Sequence, residues 1–278
     1  MQESSTRSLL VLLTVALICS LLVSISAVVL RPIQVQNELI ERYRNIVSLT
    51  GLIKQGQELD DDGVLAVVQE LDVRVVDLSR GELVAEPPPE SVDARSAASD
   101  PTQSVAVPAE DDLARIGRRS LFEVVYLVWG DTGLSRLIVP IHGQGMWSTI
   151  YGFLALEADL NTVAAVSFYE QAETAGLGDQ IQNADWQAGW KGRRLYGAGR
   201  DFRFRVASGD VADDSPAATH QVDGLSGATI TANAVTALVR FWFGEQGYGP
   251  LLQNLADNPP VRKATLVPGE TTGEQHVD

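Results

Sequence analysis

At 278 residues, 45% of them hydrophobic, the chain is long enough for one sizeable domain plus accessory segments. Its 36 acidic and 21 basic residues leave a net charge of −15, which argues against nucleic acid as a partner. The single cysteine, Cys19, leaves no disulfide and no thiolate cluster for zinc or iron–sulfur, so any redox chemistry here requires an organic cofactor.

Residues 9–30 read LLVLLTVALICSLLVSISAVVL without a charge. As a helix this run is about 33 Å long, against a hydrocarbon core of about 30 Å, so it has the length of a membrane span. A cleaved signal peptide is the competing reading, since small residues at 24–27 follow a positive start at Arg7. Retention as an anchor is favoured because the apolar run continues to Leu30 and closes on Arg31 and Pro32. The charges flanking it, Arg7 on one side and Arg31, Arg42 and Arg44 on the other, leave orientation undecided.

Beyond Pro32, the helical spacing of Leu39, Tyr43, Ile46 and Val47 predicts a membrane-proximal helix stopping near Gly51. Asp60, Asp61 and Asp62 lack the ligand spacing of an EF-hand and read as a helix N-terminus, followed by a strand and turn in VRVVDL and SRGELV. Residues 85–115, with three consecutive prolines at 87–89 and a polar run, are expected to be a loop or linker. From Leu121 to Glu170, short apolar runs broken by turns at 130–133 and around Asn161 predict the hairpins of an antiparallel sheet. Asn183 and Asp185 are placed to cap a short helix carrying Trp186 and Trp190. Phe202, Phe204 and Val206 alternate with arginines as in a half-exposed strand. A last helix is expected to end near Gly244 and Gly247, before a polar tail at 258–278. His142, His220 and His276 have no ligand spacing and default to surface or structural roles. The segments expected are a tail at 1–8, a transmembrane helix at 9–30, a membrane-proximal α/β part at 31–84, the linker, and the main domain at 116–257. The fold class is α+β.

The stretch DGLSGATIT at 223–231 opens an apolar helix. Its small residues admit a bulky group, and Thr229 and Thr231 stand where N-cap hydroxyls belong. Such a helix start attracts phosphate, although an ordinary capped turn fits the same nine residues. Three other glycine clusters, at 143–148, 173–178 and 244–250, match neither a dinucleotide fold nor a nucleotide-triphosphate loop. Met146 and Trp147 offer apolar surface to a flat ring, and amides near Gly176 and Gly178 offer donors to its edge. No nucleophile elbow occurs, and no catalytic residue or metal ligand is assigned.

These residues carry a resemblance to the C subunit of the bacterial sodium-translocating NADH:quinone reductase. It spans the segment ending LRP, the run GMWSTIYGFLAL at 145–156, ETAGLG at 173–178, WQAGW at 186–190 and DGLSGATIT. The resemblance implies a single-pass inner-membrane protein with its flavin domain on the periplasmic side. It implies one FMN joined to Thr229 by a phosphoester, installed by a flavin transferase, with the other reductase subunits and the lipid bilayer as partners. Asp223, Ser226, Gly227, Ala228, Met146, Trp147, Glu173, Thr174, Gly176, Leu177 and Gly178 are then the expected cofactor contacts. Ala175 departs from the proline of the family's ETPGLG pattern. The G subunit of an Rnf-type complex, which shares the attachment motif, and a stand-alone membrane flavoprotein are the alternatives.

Overall fold

The computed structural model describes residues 2–53, 57–212 and 214–262. The remainder, including most of the expected C-terminal tail and His276, lies outside the described residues. Helix α1 (Gln2–Thr50) runs unbroken through the expected boundaries after residues 8 and 30, with Pro32 inside it. Its apolar side chains from Leu9 to Leu30 have no protein cover. That exposure fits a single-pass anchor, because only a lipid environment removes so many apolar groups from water.

The C-terminal turns of α1 belong to the soluble part, where Ile46, Val47 and Leu49 are buried. Ser167 donates a hydrogen bond to the Asn45 amide oxygen (2.7 Å), and Arg136 donates to the Leu49 carbonyl (2.7 Å), satisfying one of the orphan acceptors at the helix end. Helix α2 (Asp61–Glu70) follows, N-capped by Asp60 through the Gly63 amide, as the acidic run implied. Strands β1 (Asp72–Asp77) and β2 (Glu82–Val84) form the expected hairpin.

The segment read as a linker is instead ordered. It holds a turn of 3-10 helix (Pro89–Ser91), helix α3 (Ala94–Ala97) and strand β3 (Ser104–Ala106), which pairs with β4 (Arg118–Ser120). Asp93 supplies the α3 cap by accepting from the Ser96 amide. Local polar bonds of this kind leave no apolar period to read.

The hairpins of the main domain lie where alternation and turns placed them: β5 (Phe122–Gly130), β6 (Gly133–Gln144), β7 (Thr149–Glu157) and β8 (Val163–Glu170). They join β1 and β2 in one six-stranded antiparallel sheet, ordered β2-β1-β5-β6-β7-β8. The membrane-proximal part and the main domain are therefore one sheet, because β1 pairs along its whole length with β5. Helix α4 (Ala184–Ala188) is capped by the Asn183 side chain, while Asp185 occupies its first turn. Strands β9 (Arg205–Val206) and β10 (Gln221–Val222) make a short parallel pair. Helix α5 (Thr229–Trp242) is followed by a helix the sequence reading did not anticipate, α6 (Gly249–Asp257). Two glycines just ahead of it looked like the end of structure, but Pro250 in its first turn is a helix-start residue.

The sheet is buried on both faces. Val125, Leu127, Leu137, Leu154 and Leu156 meet α5 and α6 on one side, while Tyr126, Ile138 and Phe153 meet α1 on the other. This accounts for near-continuous apolar strands such as LFEVVYLVW, since both alternating sets must leave water.

Gly81, in the β1–β2 turn, has φ +66° and lies against α6, where an added Cβ would sit 2.5 Å from Pro250 Cβ and 2.7 Å from the Leu251 amide. Asn254 also donates to its carbonyl (2.7 Å). Gly81→Ala is expected to lower stability by about 1–3 kcal/mol through overpacking and left-handed backbone. Thermal unfolding should fall in a single shifted transition; an unchanged midpoint would show that the turn and α6 are not packed this way.

Candidate functional site

Three segments far apart in the chain meet at one end of the sheet: the turn between β6 and β7, the loop after β8, and the start of α5. The Glu173 carboxylate joins them. It is buried, accepts from the Trp147 amide at one oxygen (3.0 Å) and accepts from the Thr231 hydroxyl at the other (2.5 Å). Its own amide donates to the Gln171 side chain. The Trp147 indole N–H donates to the Thr174 hydroxyl (3.1 Å), tying the first two segments a second time.

The close approach depends on absent side chains. An added Cβ at Gly145 would meet the Glu173 carboxylate at 2.5 Å, and one at Gly178 would meet the Thr231 hydroxyl at 2.7 Å and Glu173 Cβ at 2.8 Å. The motif glycines at 145 and 178 are therefore room for the carboxylate, which gives Gly178, read as a ring-edge donor, a packing reason as well.

The expected cap chemistry is corrected. Ala228 occupies the N-cap of α5 with no side-chain hydrogen bond, Thr229 is the first helical residue, and Thr231 is buried on Glu173. The first amides of α5 thus lack a side-chain partner and keep their affinity for an anion. Thr229 and Ser226 are exposed, so both hydroxyls are reachable. Around them Met146, Trp147, Leu177 and Ile230 stand exposed; Trp147 is 64% exposed despite its two anchoring bonds. Leu177 reaches over Gly227, whose missing Cβ would lie 2.9 Å from its Cδ2. Ile230 was missed as a site residue because its apolar character reads as helix core, and only the orientation of α5 turns it outward.

Asp223 sits apart from this chemistry. Its carboxylate accepts from the Val211 amide (2.7 Å) and its carbonyl from the Trp186 indole (2.9 Å), so it shapes the loop that delivers α5. The N–H groups of Gly176 and Gly178 make no hydrogen bond among the described residues; Gly176 is exposed, whereas Gly178 is buried against Thr231 and Glu173. Of the histidines, His142 is packed between Tyr151 and Trp242, and burial pushes its pKa down to about 4, leaving a neutral ring. His220 bonds the Arg194 carbonyl (2.8 Å). Both are structural.

Exposed apolar side chains beside an uncapped helix start suit a molecule with a flat apolar ring and a phosphate. A family model described as FMN-binding domain matches residues 145–244, which contain all three segments. The chain is 44% identical over 254 residues to the C subunit of the Na(+)-translocating NADH-quinone reductase of Pseudomonas aeruginosa, covering 91% of this chain and 97% of that one. It is 40% identical to the protein of the same name from Neisseria meningitidis serogroup B, over 91% and 95% of the two chains. Among solved structures it resembles Shewanella oneidensis NqrC with TM-score 0.70 and 31% identity, over 78% of this chain and 97% of that one. The C subunit of the Parabacteroides distasonis reductase, 24% identical with TM-score 0.60, shares the fold over 80% of this chain and 96% of its own.

Replacing Glu173 by Ala leaves the Trp147 amide and the Thr231 hydroxyl without their acceptor, and is expected to cost about 1–3 kcal/mol, chiefly from the buried Thr231 hydroxyl left unpaired. Denaturant unfolding should show the loss. An unchanged midpoint would mean that the carboxylate does not hold the three segments together.

Proposed function

The chain belongs to the family of C subunits of the Na(+)-translocating NADH-quinone reductase, and from that membership we propose that it relays electrons through an FMN joined covalently to Thr229. It is a subunit of the sodium-translocating reductase, and it carries FMN. The Rnf-type alternative is set aside by 44% identity to such a C subunit extending over 91% of this chain and 97% of that one.

The observation that carries the proposal is the exposed Thr229 hydroxyl at the uncapped start of α5, ringed by exposed Trp147, Leu177 and Ile230. FMN supplies reversible electron acceptance at its ring. The chain's residues do the rest. Thr229 holds the phosphate as a phosphoester, formed by a flavin transferase during maturation. The first amides of α5 and the helix dipole stabilise the remaining phosphate charge. Trp147, Met146 and Leu177 exclude water from the ring, while the Gly176 and Gly178 amides offer donors to its edge. Glu173 keeps Trp147 and α5 at a fixed separation. A tether prevents loss of the cofactor, which suits repeated exchange with fixed neighbours in a complex.

Thr229→Ala is expected to abolish covalent flavin, read as loss of the fluorescent band after denaturing electrophoresis and of the FMN increment in intact mass. Retention of both would move the attachment to another hydroxyl, Ser226 being the nearest exposed one.

The relay reading also expects that this chain alone does not oxidise NADH, because its sequence has no GxGxxG turn opening a helix after a strand for a dinucleotide. Stopped-flow mixing with NADH should leave the flavin oxidised until the other subunits are added. Rapid direct reduction would overturn the relay.

We place the soluble domain on the periplasmic side of the inner membrane. The support is the family resemblance, since the flanking arginines do not decide orientation. Protease added to intact spheroplasts should digest the chain beyond Arg31; full protection would reverse the topology.

A further inference from the structure

Strands β5 and β6 pair from Tyr126↔Ile138 onward toward their hairpin, but they separate in the other direction. Pro140 lies two residues past the last pair and has no N–H to donate across the gap; beyond it β6 pairs with β7 on one side, and on the other the Gln144 amide donates to the Ala114 carbonyl (2.7 Å) at the end of the fork. Trp242 and Tyr248 donate to the carbonyls of His142 and Pro140, occupying acceptors that β5 leaves free. In the fork between the strands a cavity of about 1430 Å³ opens toward the juxtamembrane turns of α1. Small-molecule pockets span roughly 300–1,000 Å³, so this space exceeds what such a ligand fills.

Glu123 faces the cavity from β5. It is 5% exposed, and its carboxylate accepts one hydrogen bond, from the adjacent Val124 amide at one oxygen. Arg42 attracts it across the cavity without bonding it, and instead lies over the Phe153 ring at 5.7 Å. Burial pushes the carboxyl pKa up to about 7, the behaviour of an acid lacking a partner. The neighbouring Arg95 contrasts with it: that guanidinium is saturated by both oxygens of Glu170 (2.8 and 2.9 Å) and by the Tyr151 ring at 4.2 Å. A buried carboxylate with a free oxygen calls for a cationic donor, since an ion pair there escapes most solvent screening.

We propose that this fork is a socket for an extramembrane loop of a neighbouring membrane subunit, which inserts a basic side chain against Glu123. The proposal rests on the reading of this chain as part of a membrane complex. The rim of the cavity at Val35 lies within reach of lipid headgroups, but distance decides against one at Arg42 and Glu123. Arg42 lies twelve residues beyond Leu30, about 18 Å along a helix, or about 14 Å if α1 tilts by roughly 40°. The headgroup layer extends only about 5–8 Å past the hydrocarbon core. A polypeptide loop standing on the membrane surface spans that height, and its backbone carbonyls would meet the guanidinium groups of Arg42 and Arg115, which make no hydrogen bond among the described residues, although the Arg115 backbone amide donates to the Asp112 carbonyl. The opposite wall, at Gln144 and Thr149, flanks the turn that carries Met146 and Trp147, so the loop would seat directly behind the flavin site.

The test compares backbone hydrogen exchange of the full chain in three states. These are alone in detergent, alone in nanodiscs of phosphatidylethanolamine and phosphatidylglycerol, and within the intact complex purified through a tag on another subunit. Amides at 93–99 and 115–118 should exchange at least tenfold more slowly in the complex than in either other state. Glu123→Gln, nearly isosteric and checked for unchanged thermal unfolding, should return most of that slowing and leave at least tenfold less chain on the complex after a salt wash. Slowing already complete in nanodiscs would assign the cavity to lipid and overturn the proposal. Equal exchange in all three states, with the chain still co-purifying, would overturn the socket while keeping the subunit reading. Failure of the unsubstituted chain to co-purify would overturn both.

Discussion

A single buried carboxylate organises the functional end of this molecule. Glu173 accepts from the Trp147 amide and the Thr231 hydroxyl, residues 26 and 58 positions away in the chain. A neutral acceptor would make weaker bonds, and a longer side chain would not fit between Gly145 and Gly178. Because both oxygens are used, the tryptophan turn and the start of α5 cannot separate without stranding a buried donor. The exposed face around Thr229 is thereby rigid although it is built from three loops, and a preorganised site costs little ordering when it receives a bulky group.

The second constraint is the sheet, which is apolar on both faces and joins the membrane stalk to the flavin site. α1 covers one face and α5 with α6 the other, so the anchor and helix α5 press on opposite sides of β6. Polar links reinforce this: Asn45 with Ser167, Arg136 with the end of α1, and Trp242 with His142. The FMN-binding domain is held against the stalk by its own core, which fixes the position of α5 relative to α1. At the fork by Pro140 this sheet opens between two neighbouring strands of its centre, and Glu123 shows the opening to be polar at depth.

Much of this was legible in residue order because the signals were local. The uncharged run at 9–30, the Asp60 cap, the Asn183 cap and the alternating strands from 122 to 170 each report a choice made within one element. The segment at 85–115 was misread for the complementary reason. Its order comes from the Asp93 cap and from pairing of β3 with β4, contacts that leave no period in composition. Helix α6 was hidden by the glycines ahead of it, and its apolar Leu251, Leu252 and Leu255 acquire meaning only against β2 and the rest of the core.

The sequence by itself determined the anchor, the antiparallel hairpins and the apolar helix after DGLSGAT, since each depends on residue type and short-range spacing. Only the tertiary structure decided which threonine hydroxyl is spoken for. Thr229 and Thr231 are equivalent as sequence, two residues apart at one helix start, yet a helix turns about 100° per residue and places them on different faces. One of those faces meets Glu173 in the interior and the other looks into solvent, a distinction that arises only when segments distant in the chain are packed together.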